Sequence, residues 1–295
     1  MLTHRTQLTG HNGAIYALAG LGSTLLSAGG DGWLVQWDYV DPTLGRVVAR
    51  IDGRLFSFCA FPDRPLVVVG DMTGGVRWID LADAAATRNV AHHRQGTFAI
   101  ELDGKYLYSV GGEGRLTRWE VATQRTVESL QLSGQALRSL ALHPRRPEAV
   151  VGSSDGNIYV IDLIDFRLRQ TLTAAHANSV FTVAFSPDGR WLYSGGRDAQ
   201  LHRWDAEDYR LNQRIPAHLS TLNALTFSPD GQWLATAGRD KTVKIWNGKT
   251  LELRKVLEGV RDRGHFNSVN ALTWNGWGLF SAGDDRTVVW WGLSG

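Results

Sequence analysis

Cysteine is nearly absent. Cys59 is the only one in 295 residues, which excludes an intrachain disulfide and any cysteine-rich zinc site. No apolar run reaches the length of about 18 residues that would suggest a membrane-spanning helix, so no membrane association is expected. The opening Met1 to Gly10 lacks the apolar stretch of a secretory signal, and Asn-x-Ser/Thr does not occur. These absences lead to the expectation of a cytoplasmic protein. An excess of one charge sign is missing too. With 31 Lys+Arg against 29 Asp+Glu, the net +2 is too small to draw nucleic acid or an anionic membrane by itself. Helical periodicity is found nowhere.

What is present is a core's worth of apolar residues, 43%, which excludes a disordered chain. Glycine is abundant at 33 and tryptophan at 12. That composition suits many short strands joined by tight turns. Length alone would suggest two domains, but an internal repeat replaces that reading. Seven stretches align: DGWLVQWD, TGGVRWID, EGRLTRWE, DGNIYVID, DAQLHRWD, DKTVKIWN and DRTVVWWG. Their seventh residues are Trp37, Ile79, Trp119, Ile161, Trp204, Trp246 and Trp291, at intervals of 42, 40, 42, 43, 42 and 45.

Upstream of each block lies a short strand that is apolar on both faces, such as Val180 to Phe185 (VFTVAF), as expected for a strand covered from both sides. A turn follows, for example Ser186-Pro187-Asp188-Gly189, where proline presets φ and glycine closes the turn. A second strand, a tight turn, the Trp strand and a polar outer strand complete the unit. One such unit cannot bury its faces alone, so neighbours must stack, and ring closure removes the exposed ends.

The seven in-phase copies resemble the WD40 family over the whole chain, residues 1–295, as one domain. The resemblance implies an all-β, seven-bladed propeller with four antiparallel strands per blade. It also implies that the N-terminal strand completes the last blade, since the final unit supplies only three strands.

Five of nine histidines share one repeat position. They are His11, His93 (or its neighbour His92), His176, His218 and His265. Each precedes an acid by 20 to 22 residues: Asp31, Glu113, Asp198, Asp240, Asp285. Four residues before each acid stands Ser27, Ser109, Ser194, Thr236 or Ser281. Serine, histidine and acid invite a hydrolase reading, but a nucleophilic triad occurs once per active site and this set recurs five times. In the WD40 family such residues resemble structural tetrads, the acid bonded to His, His to Ser/Thr, and Ser/Thr to Trp37, Trp119, Trp204, Trp246 or Trp291. Units two and four depart from the pattern. They carry Gly53, Val69, Thr73 and Ile79, and Gly134, Val151, Asp155 and Ile161, so that apolar residues replace the polar pair together.

No catalytic, metal or cofactor site emerges. Gly152-Ser153-Ser154-Asp155-Gly156 matches a nucleophile pattern but lacks the required following helix. His92-His93 has no companion cluster of carboxylates. Gly20-x-Gly22 opens no helix and reads as a hairpin turn. Cys59 reads as packing.

The family resemblance implies three exposed positions per blade on the narrow face around the central channel. Around the ring they are Ala14, Tyr16, Gly30; Arg54, Phe56, Met72; Gly96, Phe98, Gly112; Ala136, Arg138, Ser154; Ser179, Phe181, Arg197; Thr221, Asn223, Arg239; and Ser268, Asn270, Asp284. The candidate partner-binding set is Tyr16, Arg54, Phe56, Phe98, Arg138, Phe181, Arg197 and Arg239, aromatics and arginines of the kind that anchor interfaces. The competing reading turns some of these rings inward to cap the channel. The insertion Gly259 to Gly264 (GVRDRG) is expected at the rim of the same face.

The function expected is a non-catalytic scaffold, monomeric on its own. Its partner is a protein or peptide, acidic with apolar anchors. A propeller enzyme, lactonase or metal-dependent hydrolase, would need carboxylates, Asn or His converging on the channel mouth, where only Asp284, Asn223 and Asn270 stand. RNA binding by stacked aromatics and arginine is the third alternative. The near-neutral charge argues against it.

Overall fold

The computed structural model describes residues 2–42, 45–83 and 86–293. Among these residues are seven four-stranded sheets, the blades of a seven-bladed antiparallel propeller. In six blades the strands follow in chain order, as in Val180–Phe185, Trp191–Gly196, Gln200–Asp205 and Leu211–Pro216. The seventh takes its outer strand from the other end of the chain. Leu2–Thr9 pairs antiparallel with Thr287–Leu293, from Thr9 opposite Thr287 to Leu2 opposite Leu293. Among the described residues no helix is long and apolar enough to cross a membrane.

Turn chemistry sets the hairpins. In blade five Ser186 Oγ donates to Asp188 Oδ1 at 2.6 Å and the Gly189 N–H donates to Ser186 O at 2.8 Å. Gly189 takes φ +70°, a conformation that costs glycine little. The inner strands share an irregularity with direct consequences for function. Pairing with the second strand slips after the first residue: between Ile15 and Ala17, Thr97 and Ala99, Leu137 and Ser139, Val180 and Thr182, Leu222 and Ala224, and Val269 and Ala271. The extra residue in each case is Tyr16, Phe98, Arg138, Phe181, Asn223 or Asn270. A bulge re-aims a side chain out of the regular alternation. The local backbone therefore sets these six apart from the strand's packing positions.

The chain forms two compact units, residues 1–55 with 216–295, and residues 56–215. In the second unit, successive sheets pack face to face around Trp78, Ile100 and Trp119, around Tyr108, Leu140 and Ile161, and around Val160, Leu192 and Trp204. The first unit has a cluster with Val243, Val269 and Trp291 and another with Ile15, Trp37 and Trp290. Within the insertion Gly259 to Gly264, Gly259–Asp262 forms a single helical turn ahead of His265.

Candidate functional site

Five polar chains tie the second and third strands to the loops before the inner strands. His11 Nδ1 lies 2.8 Å from Asp31, its Nε2 lies 2.8 Å from Ser27 Oγ, and the Trp37 indole N–H donates to that oxygen at 2.8 Å. The same arrangement joins Glu113, His93, Ser109 and Trp119. It recurs with Asp198, His176, Ser194 and Trp204. It recurs again with Asp240, His218, Thr236 and Trp246, and with Asp285, His265, Ser281 and Trp291. Of the adjacent pair, His93 takes this role while His92 reaches Thr117 Oγ1 at 2.7 Å. The hydroxyls are fully buried, so they need these partners.

Burial would raise the carboxyl of Asp198, but the His176 bond and charge and the Gln200 and Ala177 N–H groups outweigh it and hold it at about 2. Burial likewise opposes, and the His93 bond with backbone N–H donors wins, at Glu113, also held at about 2. Both lie below their ordinary 3.8 and 4.5. A depressed folded value gives stability that is complete above the ordinary value and lost as pH falls through the folded one. We expect stability in urea to decline from about pH 4.5 to about pH 2. The decline should be smaller in Asp198→Asn. Identical slopes in the two proteins would contradict this assignment.

The two divergent blades have their own polar arrangements, which the reading of apolar substitution missed. In blade two Asp71 is fully buried and accepts from Thr73 N–H, Thr73 Oγ1, Gly75 N–H and Arg77 Nε at 2.6–2.9 Å. In blade four Asp155 accepts from Ser133 Oγ and the Tyr159 hydroxyl, each at 2.6 Å. The signal in the sequence was an acid with a polar residue four or six positions on, across a tight turn.

The second unit gathers four of the candidate binding residues into one stack. The Phe56 and Phe98 rings lie 5.3 Å apart and nearly parallel. The Arg138 guanidinium carbon is 4.3 Å from the centre of Phe98 and 6.0 Å from that of Phe181. Arg138 Nε donates to Ser154 Oγ at 2.8 Å. Among the described residues no carboxylate lies within ion-pair distance of this guanidinium. Burial lowers its pKa, the mark of a cation without a counter-charge. Arg197 is exposed and linked to the stack through backbone. Its N–H donates to Ser179 O, and Ser179 Oγ donates to Ser154 O.

Tyr16, Arg54 and Arg239 belong to the other unit. There Tyr16 lies beside Gly30, while Arg54 and Arg239 are exposed. In that unit the amide and acid positions satisfy one another. Asn270 Nδ2 donates to Asp284 at 2.7 Å and to Ile15 O at 3.2 Å, and Asn223 Nδ2 donates to Ser268 Oγ and Val269 O.

Among the described residues one group could offer three ligand atoms to an ion: His176, Asp198 and His202, within 4.8 Å of one another. The two imidazoles stack 4.0 Å apart and 9° from parallel. Their in-plane lone pairs therefore run side by side instead of converging, and both nitrogens of His176 are already bonded. Ser153 is buried and, in the tight turn, is followed by no helix.

A family model described as "WD domain, G-beta repeat" matches residues 2–38, 166–205, 209–247 and 256–292, just over half of the chain. The chain is 23% identical over 62% of its length to "Transcription factor unc-37" of Caenorhabditis elegans, covering 30% of that protein. It is 24% identical over 62% of its length to "Transducin-like enhancer protein 2" of Mus musculus, covering 24%. It is 30% identical over 39% of its length to "Cilia- and flagella-associated protein 52" of Mus musculus, covering 19%. The chain thus spans less than a third of the length of these relatives. In structure it is similar to the WD40 beta propeller domain of Doa1, with a TM-score of 0.88 at 18% identity, covering 100% of this chain and 97% of that one. The recurring Trp strands, the bonded His–acid pairs and these matches lead to one conclusion: the chain belongs to the WD40 repeat family.

Proposed function

We propose that the protein is a non-catalytic interaction scaffold that holds a protein partner on the stack of Phe56, Phe98, Arg138 and Phe181. The observation that carries this reading is Arg138. A partly buried guanidinium is oriented by Ser154 and flattened against aromatic rings. No described residue supplies it with a carboxylate. Such a group gains most from an incoming acid, because low local polarity strengthens the attraction and its fork is already oriented. The rings around it offer an apolar anchor, which gives a partner that is acidic with apolar side chains. Relatives whose names mark them as a transcription factor and an enhancer protein agree with an interaction role.

The test is affinity capture from the native host with the wild-type chain and with Phe181→Ala. Truncating one anchor of an interface typically costs about 2 kcal/mol, roughly thirtyfold in affinity. We expect at least one protein whose recovery falls by that order while the melting temperature holds. Recovery of every captured protein unchanged by Phe181→Ala would overturn the assignment.

A further inference from the structure

The side chains of the stack come one from each of four successive inner strands: Phe56 on Leu55–Ala60, Phe98 on Thr97–Asp103, Arg138 on Leu137–Leu142 and Phe181 on Val180–Phe185. The sheet carrying Phe98 packs against that of Phe56 on one face and that of Arg138 on the other. Phe56 and Arg138 therefore reach the Phe98 ring from opposite sides, at 5.3 and 4.3 Å from its centre. Both faces of the ring are covered, yet Phe98 remains partly exposed. What it exposes is its rim. A phenyl rim carries the positive end of the ring's quadrupole and the face the negative end. A cation gains by lying on a ring face, and here Arg138 already lies there.

The polar part of the stack is incomplete in one sense only. Arg138 Nε donates to Ser154 Oγ at 2.8 Å, and among the described residues its terminal nitrogens have no acceptor. The Ser154 oxygen uses a lone pair in that bond and keeps its own hydrogen, for which no described residue supplies an acceptor. Every unused hydrogen-bonding group of this pair's polar heads that lacks a partner is thus a donor. A single cation is oriented here. The Asp155 carboxylate, next in sequence, is engaged with Ser133 and Tyr159, and Arg197 on the following blade is exposed. A carboxylate brings one charge and two oxygens, which match a guanidinium nitrogen and the Ser154 hydroxyl together. A phosphate dianion brings a second charge with no second cation oriented to receive it, which is unfavourable where solvent is partly excluded.

Resting on the reading of the stack as a protein-binding site, we propose that Ser154 belongs to that site and that the bound segment pairs a side-chain carboxylate with an aromatic ring. The Asp or Glu carboxylate bridges a terminal nitrogen of Arg138 and the Ser154 hydroxyl. The Trp, Tyr or Phe ring sets its electron-rich face against the Phe98 rim, an edge-to-face arrangement. The guanidinium carbon lies 4.3 Å from the Phe98 centre. The two groups therefore stand within two residues of each other in an extended segment, whose same-face side chains are about 7 Å apart. The electropositive rim and the guanidinium disfavour lysine and arginine at both places.

The probe is a bead library of randomised heptapeptides, acetylated and amidated so that only side chains carry charge, incubated with the full chain. A parallel library with free C-termini distinguishes a terminal carboxylate from a side-chain one. The best peptide is also made with phosphoserine in place of its acid and measured at about pH 7.5, where the phosphate is mostly a dianion. We expect Asp or Glu within two positions of an aromatic residue, depletion of Lys and Arg, and a preference of about fivefold for an aromatic over leucine. The phosphoserine peptide should bind no tighter than its parent. Arg138→Gln should abolish the acidic preference. Ser154→Ala should weaken the best peptide about tenfold, and Ser154→Thr, which keeps the hydroxyl, should restore part of that. Phe98→Leu should abolish the aromatic preference. Melting temperatures of the variants check that they fold.

A phosphoserine peptide that binds tighter than its parent, selection only through a free C-terminus, leucine serving as well as an aromatic, or Ser154→Ala binding as the wild type does would overturn the proposal. If no peptide binds while capture from extract still depends on Phe181, this proposal fails and the scaffold reading stands. If neither peptide binding nor capture changes in Phe181→Ala, the scaffold reading fails with it.

Discussion

A chain lacking residues 1–8 is expected to melt at least about 10 °C below the intact chain, or to fail to fold. The strand Leu2–Thr9 is the outer strand of the last blade and is paired along its length with Thr287–Leu293. Its removal exposes that row of backbone groups to solvent as an unpaired edge. Leu2 and Leu8 are 4% and 2% exposed, and each sits in a core cluster of its unit. Burying a leucine contributes about 2 kcal/mol. Lys255 Nζ also loses Leu2 O, its acceptor at 2.8 Å. Together the losses reach about 5 kcal/mol, and for a domain of this size each kcal/mol shifts the midpoint by about 2–4 °C. A truncation that melts with the intact chain would contradict the closure of the last blade by the N-terminal strand.

Asp198→Ala is expected to destabilise the chain by about 3 kcal/mol. Its carboxylate holds His176 Nδ1 with both oxygens at 3.0 Å and accepts from the N–H groups of Ala177 and Gln200. The His176 side chain is fully buried, so water cannot replace the lost acceptor. Asp155→Ala removes bonds from Ser133, Tyr159 and the Asn157 N–H. Asp155 itself is exposed, and water can take its place. That change should cost about 1 kcal/mol. Denaturant titration separates the two, and equal losses would show that the buried histidine gives Asp198 no special weight.

The blade architecture was legible because the repeats share punctuation: an acid at the tight turn in six units, a Trp six residues on in five, and a Pro-Asp-Gly at the hairpin in two. Repetition turned weak local signals into one register, down to the exchange of Trp for Ile79 and Ile161. The candidate positions on the inner strands were located through the same register. Their physical distinction was not legible, because the bulges at Phe98, Arg138 and Phe181 come from pairing between strands and leave no mark in the residue types.

Asp71 was missed because it sits two residues ahead of the expected acid position. There it satisfies itself with Thr73, Gly75 and Arg77 instead of with a histidine. Which of His92 and His93 faces Glu113 depends on loop conformation that two adjacent identical residues cannot reveal.

The central claim is that the face carrying the aromatic–guanidinium stack, and not the other end of the blades, holds the partner. The direct measurement is quantitative capture by Arg138→Glu set against a double control, Arg190→Glu with Arg210→Glu. Both control residues are exposed and lie in the turns at the far ends of their strands, where Arg190 rests on Trp191 and Arg210 pairs with Asp208. We expect Arg138→Glu to reduce recovery of the partner about thirtyfold or more. The control should bind as the wild type does, and all three proteins should melt alike. Loss of capture in the control with full capture by Arg138→Glu would place the binding surface on the opposite face.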